Sequence, residues 1–111
     1  MTTIRKPDEY NEDEWEILAL LYDVIDPELF INIVDLGLIY DIKLNKKEEQ
    51  VFITSTLTTR FCPMGDSIVG GIQNAIAEVF PQMEVHIDIT FEPPWSYDRL
   101  TPEGRSMLQM D

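Results

Sequence analysis

A chain of 111 residues with 44% apolar content has the size of one globular domain with room for one core. Eight Lys and Arg stand against 21 Asp and Glu, a formal net charge of -13, which excludes a sequence-independent grip on nucleic-acid phosphates because such binding needs clustered cations. The single cysteine, Cys62, excludes an intrachain disulfide. With a charged N-terminus and no apolar run near the ~20 residues of a membrane span, this points to a soluble cytoplasmic protein.

Residues 1–10 lack periodicity and contain Pro7, so they read as a loose arm ahead of a single domain over residues 11–111. Asn11 offers a helix cap, followed by Glu12, Asp13 and Glu14 at the positive end of the dipole. Trp15, Leu18 and Tyr22 recur at helical spacing beside Ile17, Leu21 and Val24, giving an amphipathic helix that ends before Asp26-Pro27. Residues 38–44 alternate, with Leu38, Tyr40, Ile42 and Leu44 on one face. After the polar stretch 45–50, Val51, Ile53, Ser55 and Leu57 alternate with Phe52, Thr54, Thr56 and Thr58, so the two strands form an antiparallel hairpin.

Cys62-Pro63 has the form of a helix start, with the cysteine as cap and proline at the first helical position. Ile68, Ile72, Ala75, Ile76 and Val79 then form an apolar stripe, and Gly65, Gly70 and Gly71 point to close packing within that helix. Met83, Val85, Ile87, Ile89 and Phe91 alternate with Glu84, His86, Asp88 and Thr90, a strand with one buried face. Glu92-Pro93-Pro94-Trp95 ends it, and Thr101-Pro102 starts a short last helix. The order α-β-β-α-β-α predicts a two-layer α+β domain with helices on one face of a small mixed sheet.

Cys62 is the sharpest candidate for chemistry, because a thiol at a helix N-terminus meets unpaired N–H groups and a dipole that stabilise thiolate. Free cysteines are also commonly buried as small hydrophobes. The strand end and tight turn at residues 56–61 favour the functional alternative, since hydroxyls and amides converge there. One Cys and one His make a poor zinc site for one chain alone, since carboxylates would have to supply the remaining ligands. An iron-sulfur cluster could be held only if Cys62 shared it with another subunit, a partner or a small thiol, so the expected cofactor is at most a transient cluster. His86 reads as a surface histidine, which makes a Cys62–His86 thiol hydrolase the weakest reading. Asp26 and Asp35 taken singly read as loop caps or Asx-turn residues. Trp95 suits a core anchor or a partner hot spot.

Together, Asp26-Pro27-Glu28, residues 31–40 (INIVDLGLIY), Thr56-Leu57-Thr58-Thr59 with Cys62-Pro63, and Glu92-Pro93-Pro94-Trp95 resemble the SufT and PaaD-like family of iron-sulfur cluster assembly factors over residues 18–108. The resemblance implies a cytosolic maturation factor whose functional residue is Cys62. It also implies a supporting patch of Asp26, Asp35, Thr58, Thr59, Glu92 and Trp95 around the thiol, and a fold of two helices on a small mixed sheet plus a short terminal helix. Many relatives carry Pro-Gly where this chain has Arg60-Phe61. Arg60 therefore adds a cation to the turn, placed to lower the pKa of Cys62, to recognise a partner carboxylate or to face solvent.

Two functions follow as expectations. In the first, Cys62 takes part in cluster insertion or transfer, as a homodimer or with an iron-sulfur carrier, scaffold or client protein. In the second, the chain is an adaptor that binds clients and assembly partners through Trp95, Phe61 and its acidic face without touching the cluster. Both are assembly roles rather than turnover by an enzyme, and neither calls for nucleic acid or a membrane.

Overall fold

The structure is a computed structural model that describes residues 4, 7–27, 29–58 and 65–107. Its elements are α1 (Glu12–Leu21), β1 (Ile39–Asn45), β2 (Gln50–Ser55), α2 (Gly65–Val79), β3 (Glu84–Ile89) and α3 (Pro102–Met107), with 3-10 turns at Pro7–Glu9 and Tyr97–Arg99. This is the predicted α-β-β-α-β-α order.

The sheet runs β1-β2-β3, with β1 antiparallel to β2 and β3 parallel to β2. The mixture follows from connection length. A short turn closes the β1–β2 hairpin, whereas β2 and β3 are joined through α2, the kind of crossover that parallel pairing requires. Ile42, Ile53 and Ile87 share one row of the ladder, and Leu44, Val51 and Val85 another. These rows meet Ile17, Leu18 and Leu21 of α1 and Ile68, Ile72 and Ile76 of α2 in one apolar cluster. The opposite face carries Lys43, Phe52 and His86 in one row, with Phe52 42% exposed. Helices thus cover one face of the sheet.

α1 starts where predicted. The Asn11 side chain accepts from the Glu14 N–H at 2.8 Å while the Glu14 carboxylate accepts from the Asn11 N–H at 3.0 Å, a reciprocal capping box. The helix buries Glu14, Ile17, Leu18 and Leu21, an i, i+3, i+4, i+7 stripe, so Trp15 and Tyr22 fall on its flank and are exposed, contrary to the expected apolar face. The core also reaches one residue into the expected arm, since Tyr10 is buried. In α2 the stripe ends at Ile76, and Val79, in the last turn, is 51% exposed. Gly71 does answer a close approach, because a Cβ there would sit 2.9 Å from Val24 Cγ1, whereas Gly70 has open space beside it.

The alternation expected for β1 breaks at Tyr40. The register shifts between Ile39 and Asp41, so Ile39 pairs with Ser55 and Asp41 with Thr54. Tyr40 is fully buried yet lies outside the main apolar cluster. A bulge of this kind re-aims one side chain. Here it hands the Tyr40 hydroxyl to the Pro93 carbonyl, to which it donates at 2.6 Å, and puts the ring 5.0 Å beneath the Arg99 guanidinium.

Candidate functional site at the carboxyl end of the parallel strands

β2 and β3 leave the sheet at the same end. The Thr90 N–H donates to the Ser55 carbonyl at 2.9 Å, and the Thr56 N–H donates to the Leu38 carbonyl at 2.8 Å, so the exits of both parallel strands and the entry to β1 are laced together. Open sheets with parallel strands bind ligands beyond this end, beside the N-terminus of the crossover helix. Thr58 is the last described residue after β2 and α2 begins at Gly65. Thr59, Arg60, Cys62 and Pro63 belong to the segment between them and lie outside the described residues. Thr58 itself is half-buried. Thr56, two residues before it, is fully buried and its hydroxyl has no hydrogen-bond partner among the described residues.

Asp35 and Trp95 act on one loop. Asn32 and Asp35 form an Asx-turn in which the Asp35 N–H donates to Asn32 Oδ1 at 2.8 Å and Asn32 Nδ2 donates to Asp35 Oδ2 at 2.7 Å. The other carboxylate oxygen accepts from Thr101 Oγ1 at 2.8 Å, and the Asp35 carbonyl accepts from the Thr101 N–H at 2.9 Å. Thr101 Oγ1 in turn accepts from the Gly104 N–H at 3.0 Å, capping α3. The Trp95 indole N–H donates to the Leu36 carbonyl at 2.6 Å. Gly37, at a φ of +78°, leaves no room for a side chain, since a Cβ would sit 2.3 Å from the Arg99 carbonyl. The result is a clamp that seats residues 93–104 on the loop at residues 32–37. Trp95, which sequence left open between anchor and hot spot, is an anchor.

Asp26 has a different task. It is fully buried. Its carboxylate accepts from the Leu29 N–H at 3.0 Å, its carbonyl accepts from the Phe30 N–H at 2.8 Å, and its own N–H donates to the Ile31 carbonyl at 2.9 Å. The loop acids therefore cap and shape turns. Glu92 is exposed, and its N–H donates to Thr90 Oγ1 at 3.2 Å. The Glu92–Pro93 peptide is cis.

Sequence reasoning passed over Asn32, Tyr40, Arg99 and Thr101 as contributors to this region. The Asn-x-x-Asp spacing at Asn32 and Asp35 was a usable signal for the Asx-turn. Nothing local marked Tyr40 or Arg99, whose pairing depends on the bulge. Tyr22 is influenced by this region too: burial first, then the negative charges of Asp35 and Glu103, push its hydroxyl above the ordinary tyrosine range.

His86 stands away from the strand exits. Its ring stacks on Phe52 at 4.9 Å between centroids, and Nε2 lies 3.1 Å from a Glu84 carboxylate oxygen. In the ladder it pairs with Phe52, three residues short of the Ser55–Ile89 pair, or roughly 10 Å at the rise of a strand. Among the described residues no group of three or more His, Cys, Asp and Glu side chains is placed to hold a metal ion. No described helix is long and apolar enough to cross a membrane.

Comparison with known proteins places this arrangement in a family. Residues 14–90 match the family model described as "Iron-sulfur cluster assembly protein". The chain is 40% identical over 86 residues to the Fe-S protein maturation auxiliary factor SufT of Staphylococcus aureus, covering 77% of this chain and 96% of that protein. It is 36% identical over 102 residues to an Fe-S protein maturation auxiliary factor of Porphyromonas gingivalis, covering 92% and 94%. A crystal structure of a DUF59 domain from Bacillus anthracis superposes with a TM-score of 0.82 at 33% identity, covering 88% of this chain and 92% of that one. Motif order, fold and similarity agree, and the chain belongs to the iron-sulfur cluster assembly protein family.

Proposed function

We propose that this protein is an iron-sulfur protein maturation factor in which Cys62 takes part in inserting or transferring a cluster to client proteins. The relatives' role as maturation factors supports the coarse function. The observation that carries the finer one is the position of the cysteine segment in the chain. It joins Thr58 to Gly65, between the exit of a parallel strand and the start of its crossover helix, the end of such sheets where ligands and reactive groups are presented.

The cluster is cargo, shared with a second thiol from another copy of the chain, a carrier or a small thiol, because the sequence supplies one cysteine. Arg60, two residues earlier, adds a cation that favours thiolate over thiol. Thr58 and Thr59 add two hydroxyls to the same stretch of sequence. Asp26, Asp35, Glu92 and Trp95 act as positioning residues, through the loop turns and the C-terminal clamp that border this end of the sheet.

The adaptor alternative expects Trp95→Ala to abolish partner binding. The indole N–H is engaged by the Leu36 carbonyl, so that variant loosens residues 93–104 before it reports on any partner. Cys62→Ala separates the readings better. In cells lacking the native protein, Cys62→Ala should accumulate to normal levels and melt at the wild-type temperature while the activities of iron-sulfur client enzymes fall. Normal client activity in that variant would overturn the thiol-based reading and leave the adaptor.

A further inference from the structure

The loop between α1 and β1 contains a second feature that the cysteine region does not use. Residues 24–26 and 31–33 form a narrow two-stranded ribbon: Ile25 bridges Asn32, the Asp26 N–H meets the Ile31 carbonyl, and the Ile33 N–H meets the Val24 carbonyl. At its tip Phe30 has a φ of +60°, the left-handed region that suits glycine and is unfavourable for a bulky aromatic residue. Its side chain gains nothing from the fold in exchange, since it is 79% exposed. The buried Asp26 holds the tip in this form through its bonds to the Leu29 and Phe30 N–H groups. A phenylalanine in a glycine's conformation, presented to solvent on a hydrogen-bonded support, is a side chain whose apolar surface is free to be covered by a partner.

The surroundings specify the chemistry of that partner. Ile25, on the same ribbon, is 49% exposed. Ile25 also lines a groove of about 340 Å³ against α2, together with Val24, Gly71, Asn74 and Ala75 and the acids Asp23 and Glu78. Among the described residues no Lys or Arg lines it. Apolar side chains beside two acids fit a segment that carries both apolar and basic side chains. A second copy of this chain, at a net charge of -13, lacks that complementarity.

We infer that Phe30, Ile25 and the groove against α2 form a docking surface for an apolar, basic segment of a partner protein, with Phe30 as its anchor. The inference does not rest on the thiol chemistry assigned to Cys62, and its test reads peptide binding rather than cluster loading. Its test uses the full chain labelled for NMR and three synthetic helix-forming peptides: one with a leucine face and lysine flanks, one with the lysines replaced by glutamate, and one with the leucines replaced by serine. The leucine-lysine peptide should bind with shifts centred on Ile25, Phe30, Asn74 and Ala75, and both controls should bind at least about tenfold more weakly. Phe30→Gly should weaken the leucine-lysine peptide by about tenfold or more while melting at or above the wild-type temperature. Shifts mapping elsewhere, equal binding of the serine-lysine control, unchanged affinity in Phe30→Gly, or a fall of several degrees in its melting temperature would each overturn the assignment.

Discussion

Asp35 shows how a single carboxylate can look functional in sequence and prove to be an organiser in three dimensions. Its two oxygens accept from Asn32 and Thr101, and it is buried, so Asp35→Ala strands two donors at once. We predict a loss of about 2–3 kcal/mol in urea unfolding, since each buried partner left unsatisfied costs ~1–3 kcal/mol. Gly37→Ala should cost about 2 kcal/mol or more in the same measurement, because both its φ and the Arg99 carbonyl oppose a Cβ. Tyr22 gives a pH signature. Its folded pKa is raised, so its contribution is complete below the unfolded-state value and is lost as pH rises through the folded one. The wild type should therefore lose stability on the alkaline side more steeply than Tyr22→Phe, and equal slopes would remove Tyr22 as the cause. The reading of Asp26 and Asp35 as turn residues was available from residue type, because Asp accepts from nearby backbone N–H groups. The choice between anchor and hot spot for Trp95 was not, because it depended on the Leu36 carbonyl, which is 59 residues away in sequence.

At the scale of elements, periodicity carried most of the fold. The rows Ile42–Ile53–Ile87 and Leu44–Val51–Val85 are the alternations visible in the chain. α1 was legible from Asn11 and Glu14 before any packing was known, and Asn11→Ala should cost about 1 kcal/mol in thermal or urea unfolding. The exceptions share a cause. Tyr40 departs from alternation because the bulge at residues 39–41 serves the Pro93 and Arg99 contacts, and tertiary contacts of that kind leave no mark in a local pattern. Trp15 and Tyr22 fell outside the core because the capping box commits Glu14 to the buried stripe. β3 is less covered than its clean alternation implied, with Val85, Ile87 and Ile89 only partly buried, as befits a strand paired on one side.

For the whole molecule, the acidic surface and the open sheet face leave a protein that is stable through one modest core and a clamped C-terminal segment. The family and the fold were both legible, because four short motifs in order carry more information than any one of them. The candidate site was legible only in part: the loop acids and Trp95 find partners that explain them, whereas the chemistry assigned to Cys62 rests on its place between β2 and α2. Anaerobic incubation of wild type and Cys62→Ser with iron and sulfide, followed by visible absorption and native mass spectrometry, tests that assignment most directly. A cluster is expected in the wild type alone, shared between two chains or between one chain and a small thiol, and released to an apo client on mixing. Equal loading of both proteins, or two colourless samples under conditions that load a known carrier, would contradict it.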